Sequence, residues 1–144
     1  ERVLDAHRDR VRLPTDLAYA DSGGERAEVD VDDVTEKTTD FLDVGAATVA
    51  DYGEVVDDSA AVFVKGALGV FEDERFADGT VELIEAIART DCFSVIGGGD
   101  TARALDMYDI DEDSFDHVSI AGGAYLNALT GKELTAVEVL KSYA

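Results

Sequence analysis

The sequence predicts an α/β fold in which a mainly parallel sheet is covered by helices on both faces. Three observations support this class: apolar runs of strand length alternate with helical stretches, the runs are apolar on both faces, and glycines follow them. Strands without polar alternation are typical of parallel sheets whose two faces are buried. The 144 residues suffice for one domain with a buried core. The expected architecture is therefore a three-layer α/β/α sandwich with a Rossmann-like sheet.

The amino-terminal part of the chain is predicted to hold short elements between polar loops. The predicted elements are a helix over 1–9, strands at 11–13, 17–20 and 29–31, the last within a polar stretch over 21–40, a turn at 43–45 and a helix over 48–56. The first strand stops before Pro14, the only proline, which cannot donate to a strand ladder.

The rest of the chain is predicted to alternate strands and helices regularly. The predicted strands lie at 61–64, 93–96 and 117–120, and the predicted helices at 81–88, 101–107 and 124–129. Thr80 is a favourable N-cap for the first of these helices, and Val81, Ile84 and Ile87 form an apolar stripe along it. This alternation is what a parallel sheet with crossover helices requires.

The charge balance is strongly acidic. The chain has 33 acidic and 12 basic residues, a formal net charge of -21. Such a surface repels nucleic-acid backbones and anionic membranes, so neither is an expected partner. Molar salt shortens the Debye length to about 3 Å, and we interpret the acidity as adaptation to high salt, as in halophilic archaea. With no apolar run of membrane-spanning length and a single cysteine, Cys92, the protein is expected in the cytoplasm.

Three successive predicted strands end in glycine, which predicts a ligand-binding edge. The glycines are Gly66 and Gly69, then Gly97, Gly98 and Gly99, then Gly122 and Gly123. In an open parallel sheet, ligands bind beyond the carboxyl ends of the strands. Two of the turns lead into helix N-termini, whose free N–H groups and partial positive charge suit an anion. A phosphate-bearing ligand is therefore predicted.

The segment FSVIGGGDTARAL, residues 93–105, excludes two common phosphate loops. It matches the spacing of the dinucleotide fingerprint, but the next strand ends in Ser119–Ala121 without the acidic residue that would hold a ribose. A Walker loop is excluded because the chain contains no Gly-Lys-Ser or Gly-Lys-Thr.

Two acidic residues near the glycines each have two interpretations. Asp100 is either the N-cap of the following helix or a ligand for Mg²⁺, which would separate its charge from the phosphates. Glu72 is either one more surface acid or the acceptor for ribose hydroxyls. His117 lies at a strand start, away from the glycines, and is expected to be structural. No residue set predicts covalent catalysis or a zinc site.

The chain carries four ordered motifs, GALGVFE at 66–72, FADGT at 76–80, SVIGGGDT at 94–101 and HVSIAGGA at 117–124. Their order and spacing resemble the C-terminal, nucleotide-binding domain of phosphoglycerate kinases. The closing stretch over 139–143 is similar to the C-terminus of archaeal members. The resemblance covers nearly the whole chain and is more specific than any single glycine loop.

The resemblance implies reversible phosphoryl transfer between 1,3-bisphosphoglycerate and Mg-ADP, giving 3-phosphoglycerate and Mg-ATP. It implies a nucleotide site formed by Gly69, Val70, Glu72, Gly98, Gly99, Asp100 and Thr101. In that site Glu72 would bind the ribose, Asp100 the Mg²⁺, and Gly98, Gly99 and Thr101 the phosphates. The amides of Gly122 and Gly123 would be catalytic, facing the transferring phosphoryl group.

The chain departs from the family pattern at several positions. Lys65 and Ala67 stand where Asn and Pro are usual, Ala121 replaces a glycine, and Tyr125 replaces a small residue. Because Lys65 lies at a strand end beside the glycines, it is a candidate phosphate contact that would add positive charge. Backbone amides survive the change at Ala121, so anion binding is still expected there.

The whole chain, 1–144, is interpreted as such a nucleotide-binding domain, truncated at its start and without the N-terminal domain that binds the glycerate substrates. The complete enzyme is expected to be monomeric, and the isolated piece to be inactive. Two alternatives stay open. One is a non-catalytic nucleotide-binding module of the same fold, and the other is an acidic α/β domain whose glycines serve only as turn residues.

Overall fold

A computed structural model describes residues 2–35 and 40–143, with the exception of the Val3 side chain. The predicted helix start at Glu1 and part of the predicted polar stretch, 36–39, lie outside these residues. The chain divides into two compact units. One comprises Glu1–Tyr52 and Leu68–Glu82, and the other comprises Gly53–Ala67 and Leu83–Ala144.

Helices and strands alternate along the second half of the described chain, as the sequence predicts. The helices are α1 (Arg2–His7), α2 (Ala46–Asp57), α3 (Asp78–Arg89), α4 (Gly99–Met107), α5 (Gly122–Leu129) and α6 (Thr135–Ser142). The strands are β1 (Asp16–Ala20), β2 (Arg26–Asp30), β3 (Phe41–Val44), β4 (Ala61–Lys65), β5 (Phe93–Gly97) and β6 (His117–Ser119). None of the helices within the described residues is both long and apolar enough to cross a bilayer.

The first unit contains an antiparallel sheet of three strands, which the sequence did not predict. Strand β1 lies in the centre and pairs with β2 on one side and β3 on the other. Ala18 on β1 is fully buried and lies opposite Asp43 on β3. Phe71 and Phe76 are buried in the same unit. The short strands predicted at 17–20 and 29–31 thus correspond to β1 and, one to three residues early, to β2.

The second unit contains the predicted parallel sheet, in the order β4-β5-β6. Its central strand carries Val95 and Ile96, which are buried, as parallel strands covered on both faces should be. At the carboxyl ends, Lys65 pairs with Gly97, and Gly97 pairs with Ser119. The α/β class with a parallel sheet is therefore confirmed, and its three strand ends lie in one row.

Two local predictions in the first unit are wrong. Residues 11–13 form no strand, because the N–H of Val11 bonds to the carbonyl oxygen of Arg8 and closes a short 3-10 turn. The turn predicted at 43–45 is instead the end of β3, in which Asp43 is buried. A single acidic residue between apolar neighbours looked like a turn, but its carboxylate has buried partners that sequence does not reveal.

Helix starts were predicted too late. Thr80 is not the N-cap of α3, which begins at Asp78; its hydroxyl accepts hydrogen bonds from the N–H groups of Leu68 (3.1 Å) and Gly69 (3.3 Å). Helices α4 and α5 begin at Gly99 and Gly122, two residues before the predicted starts. Glycine has low helix propensity, so the pattern placed these residues in loops. Helix α6 was not predicted.

Candidate functional site

The turn between β5 and α4 presents backbone N–H groups at a helix start. Gly98 is the N-cap, with φ of 106°, a conformation that a side chain would strain. The first hydrogen bond of α4 runs from the N–H of Ala102 to the carbonyl oxygen of Gly98 at 3.0 Å. The three amides before it, at Gly99, Asp100 and Thr101, therefore have no acceptor within the helix.

The turn between β6 and α5 repeats this arrangement. Ala121 is the N-cap and supplies no side-chain acceptor, and the first helical bond runs from the N–H of Tyr125 to the Ala121 carbonyl oxygen at 3.1 Å. The amides of Gly122, Gly123 and Ala124 come before this bond. Gly122 and Gly123 are thus the first residues of α5, and not loop residues in front of it as the sequence predicted.

The two turns are packed against each other. The N–H of Gly98 donates to the carbonyl oxygen of Ser119 at 2.7 Å. A Cβ added to Gly122 would lie 3.0 Å from both the N and the Cα of Gly98, so only glycine allows this approach of two backbones. Two helix N-termini are thereby held side by side.

A cavity of about 200 Å³ lies at these helix starts. Its lining comprises Lys65, Gly66, Gly98, Gly99, Asp100, Thr101, Ile120, Gly122 and Gly123. The structure therefore brings together seven residues that the sequence nominated, from the ends of all three parallel strands. The charges of Lys65 and Asp100 offset each other, so the partial positive charge of two helix N-termini favours an anion here despite the acidic chain.

The Thr101 side chain faces inward from this cavity wall. It is fully buried, and its hydroxyl donates to the carbonyl oxygen of Gly97 (3.3 Å) and accepts from the N–H of Gly66 (3.0 Å). The hydroxyl thus links the end of β4 to the start of α4. Because it is engaged with two backbone groups, the part of Thr101 suited to an anion is its backbone N–H.

The one acidic residue in the cavity lining, Asp100, fits a metal that arrives with a ligand better than a metal held by protein side chains alone. Among the described residues, no group of three or more His, Cys, Asp or Glu side chains is arranged to hold a metal ion. Asp100 is exposed in the first turn of α4. It is not the N-cap of this helix, as one interpretation had it, because Gly98 occupies that position. Its carboxylate is therefore available to Mg²⁺, which is typically held by one or two carboxylates together with phosphate oxygens and water.

The other nominated residues, Gly69, Val70 and Glu72, belong to a loop of the first unit. The N–H of Val70 donates to the Leu42 carbonyl oxygen at 2.8 Å, and the Gly69 N–H donates to the Thr80 hydroxyl. These bonds hold the loop against β3 and α3. Val70 is 43% exposed, whereas the neighbouring Phe71 is buried.

Sequence reasoning missed the side chain that organises this loop's surroundings. The Asp43 carboxylate is buried and accepts hydrogen bonds from the N–H groups of Gly79 (2.9 Å) and Val44 (2.9 Å). It also pairs with Arg26 at 3.0 Å. Burial lowers the pKa of Arg26, but its bonds to Asp43 and Glu28 outweigh that effect and raise it. An acidic residue flanked by apolar strand residues was the only signal for this buried pair.

Asp16 plays a similar part at the start of α2. Its carboxylate accepts hydrogen bonds from the N–H groups of Ala47 (2.9 Å) and Thr48 (2.7 Å), and from the Thr48 hydroxyl. Burial alone would raise the pKa of Asp16, but these hydrogen bonds outweigh it and lower the pKa. Asp16 therefore acts as a side-chain cap supplied by the neighbouring strand.

A larger cavity, about 490 Å³, lies in the first unit around residues 8–15, 30–32 and 51. Its lining includes Asp30, Asp32 and Asp51, and the last pairs with Arg12 at 2.6 Å. No start of a helix of eight or more residues lies among the residues that line it. The smaller cavity at α4 and α5 is thus the better candidate for an anion, although it is not the largest.

Comparison with known proteins identifies the same family as the motifs. A family model described as phosphoglycerate kinase matches residues 1–132. The chain is 66% identical over 144 residues to the phosphoglycerate kinase of Halorubrum lacusprofundi, covering 100% of this chain and 35% of the relative. It is 62% identical over 141 residues to that of Haloarcula marismortui, covering 98% of this chain and 35% of the relative. The relatives thus include proteins of halophilic archaea.

A solved structure supports the fold as well. The crystal structure of phosphoglycerate kinase from Pyrococcus horikoshii matches with a TM-score of 0.85 at 35% sequence identity, over 98% of this chain and 35% of that chain. The chain spans about 35% of the length of the relatives that it matches.

Proposed function

The chain belongs to the phosphoglycerate kinase family, and from that premise we propose that it forms the Mg-nucleotide-binding part of a kinase. The observation that carries the proposal is the convergence of two helix N-termini without side-chain caps on one small cavity. The reaction we propose for the complete protein is phosphoryl transfer between 1,3-bisphosphoglycerate and Mg-ADP, giving 3-phosphoglycerate and Mg-ATP.

We propose that backbone amides bind two groups, a phosphate of the nucleotide and the phosphoryl group in transfer. Gly98 shapes the turn, and the amides of Gly99, Asp100 and Thr101 point to one anion, while those of Gly122 and Gly123 serve the phosphoryl group in transfer. Rigid N–H groups stabilise the charge that develops there without reorganising. Phosphoryl transfer depends on positioning and electrostatic stabilisation, which is what fixed backbone donors provide.

Asp100 is proposed as the protein ligand of the Mg²⁺ that accompanies the nucleotide. The ion would supply positive charge between this carboxylate and the phosphate oxygens. Lys65, whose side chain is exposed at the cavity, is proposed to contact a phosphate directly. Both roles follow from the charge of the side chain and from its place in the lining.

The loop over 69–72 is proposed to contact the nucleoside part of the ligand. On the family resemblance, Gly69 and Val70 lie beside the adenine and Glu72 accepts hydrogen bonds from the ribose. The partners proposed for the complete protein are ADP or ATP and the two phosphoglycerates, the latter bound by an N-terminal domain. We propose a monomeric cytoplasmic enzyme, of which this stretch alone is inactive.

Titration of the chain with ADP in molar KCl, with and without Mg²⁺, tests the nucleotide site. Asp100→Ala is expected to weaken binding of Mg-ADP about tenfold without weakening binding of metal-free ADP, because the carboxylate holds the metal and repels phosphate when no metal is bound. Asp106→Ala is the control, since it removes an exposed carboxylate from the same helix. Lys65→Ala should weaken both forms several-fold, with the exposed Lys132→Ala as its control.

The same titration, carried out with the complete protein, separates the alternatives. Absence of saturable binding by the complete protein would favour an acidic domain whose glycines are only turn residues. Metal-dependent binding without phosphoryl transfer would favour a non-catalytic nucleotide-binding module. Turnover of 1,3-bisphosphoglycerate by the 144-residue chain alone would contradict the proposal that the glycerate substrates bind elsewhere.

A further inference from the structure

An aromatic pair lies directly behind the start of α5. The rings of Phe63 on β4 and Tyr125 on α5 stack with centroids 4.8 Å apart and planes inclined by 20°. Both side chains are half-buried. Offset stacking of this kind has a preferred geometry, so it constrains the direction of the helix as well as its distance from the strand.

The stack lies on the helix face that meets the glycine turn. Tyr125 follows Gly122 by three residues, and residues three apart share one face of a helix. Gly122 on that face is pressed against the backbone of Gly98. One turn of α5 therefore has two fixed points, a backbone contact at its first residue and a ring contact at its fourth.

Phe63 also lies close to the end of β5. A Cβ added to Gly97 would lie 2.7 Å from Cε2 of the Phe63 ring, so the ring occupies the space beside this glycine. Phe63 is thus close both to the end of β5 and to the first turn of α5. These contacts set the position of α5 relative to β4 and β5, two of the three strands whose ends line the cavity.

Helix α5 has one further side-chain contact at its start, because the N–H of its N-cap residue donates to the Ser119 hydroxyl at 3.2 Å. Its N-cap, Ala121, provides no side-chain hydrogen bond, and the neighbouring Ile120 is 82% exposed. A Cβ added to Gly123 would meet nothing within 4 Å. The direction in which the amides of Gly122 and Gly123 point is therefore set by the backbone contact and the ring contact described above, together with this hydrogen bond.

We propose that the Phe63–Tyr125 stack is a positioning device that aims the first amides of α5 at the phosphoryl group in transfer. This inference rests on the proposed function, because it assigns Tyr125 an effect on the reaction through those amides. Tyr125 acts through the helix and touches no reacting atom. A small misplacement of a positioned group costs up to about 100-fold in rate, so loss of the ring should be visible in kcat.

The test compares Tyr125→Ala with Tyr125→Phe in the complete kinase that contains this chain. Tyr125→Ala is expected to lower kcat between about 10-fold and 100-fold, with the Kd of Mg-ADP changed less than about twofold, because ADP binding uses other amides. Tyr125→Phe keeps the ring and should retain wild-type kcat. Should Tyr125→Ala fail to fold, Tyr125→Leu keeps apolar volume without the ring and serves instead.

Three results would overturn the positioning role. They are a wild-type kcat in Tyr125→Ala, an equal loss in Tyr125→Phe, or a parallel fall of kcat, Mg-ADP affinity and Tm in Tyr125→Ala. A wild-type protein that transfers no phosphoryl group would instead refute the proposed function. In that case the role of the stack is tested by following the NMR signals of the Gly122 and Gly123 amides while the protein is titrated with inorganic phosphate. They should shift in wild-type and Tyr125→Phe but not in Tyr125→Ala, and equal shifts would reject the role of the stack.

Discussion

The helix starts of the two units differ in whether a side chain accepts hydrogen bonds from the first N–H groups of the helix. Each helix begins with N–H groups that lack an acceptor within the helix. In the first unit, Asp16 accepts from the start of α2, and the buried Asp43 accepts from the start of α3. In the second unit, α4 and α5 begin after Gly98 and Ala121, which offer no side-chain acceptor.

This difference explains why carboxylates are structural at the helix starts of the first unit, whereas an anionic ligand is expected at the helix starts of the second unit. Where a neighbouring strand supplies a carboxylate, the amides are satisfied and the helix is fixed to the sheet. At the starts of α4 and α5 no side chain caps the helix, and we expect the first amides there to bind a phosphate. The comparison also separates two kinds of acidic residue, those that hold the fold and those, such as Asp100, that lie exposed at the cavity.

The largest effect is expected from removing the buried cap of α3. Asp43→Ala leaves Arg26 and the N–H of Gly79 without their carboxylate, and we expect a loss of about 3–5 kcal/mol in the free energy of unfolding. Urea denaturation in molar KCl measures it. The control is Asp78→Ala, which removes an exposed carboxylate 3.7 Å from the same arginine and should cost less than about 1 kcal/mol. Equal losses would show that the capped start is not special.

A matched pair of glycines tests the open helix start. Gly122→Ala places a Cβ 3.0 Å from the backbone of Gly98, and overpacking of this kind typically costs about 1–3 kcal/mol. Gly123→Ala meets nothing within 4 Å, and it should leave stability unchanged or raise it by up to about 1 kcal/mol. Urea denaturation of both variants measures these changes in the free energy of unfolding. Indifference to Gly122→Ala would mean that the two turns are not held in contact.

The smallest effect is expected at Asp16, and it depends on pH. The pKa of Asp16 is lower in the folded chain than in the unfolded one, so its contribution to stability is complete above the unfolded pKa, about 3.9. The contribution falls as pH drops through the lowered folded pKa. Asp16→Asn replaces one of the two accepting oxygens by an NH₂ group, so it should cost about 0.5–1.5 kcal/mol at neutral pH, with a difference from wild type that shrinks below about pH 4.

Urea denaturation of wild type and Asp16→Asn at a series of pH values measures this dependence. Asp100→Asn is the comparison at the open start of α4, where the carboxylate is exposed. A constant difference between wild type and Asp16→Asn across the acidic range would contradict the capping role of the ionised carboxylate.

Much of the second unit was predictable because its elements follow local rules. The runs that became β4, β5 and β6 are apolar and end in glycine, so the sequence located the cavity and seven of its lining residues. The helix starts were misplaced because helix propensity treats glycine as a breaker, whereas packing of Gly122 on Gly98 places it inside α5. Tyr125 was noticed only as a departure from the family pattern, since its partner, Phe63, is distant in sequence.

The first unit was less predictable because several contacts that organise it join residues far apart in the sequence. Asp43 reaches Arg26 and Gly79, and Thr80 reaches the amides of Leu68 and Gly69. Each of these residues also fits a simpler local interpretation, a turn for Asp43 and an N-cap for Thr80. The local sequence pattern favoured the simpler interpretation in both cases, but both side chains are buried in the folded chain.

The sequence by itself determined the α/β class, the glycine-ended strands, the motifs of the kinase family and the acidity, because these depend on composition and on residues near one another in the chain. The tertiary structure alone decided which acids cap helices, which helix starts stay open, and which ring stands behind them. The physical reason is that a hydrogen bond or a ring contact depends on distance in space, and only the packed fold brings Asp43 to Gly79 or Phe63 to Tyr125.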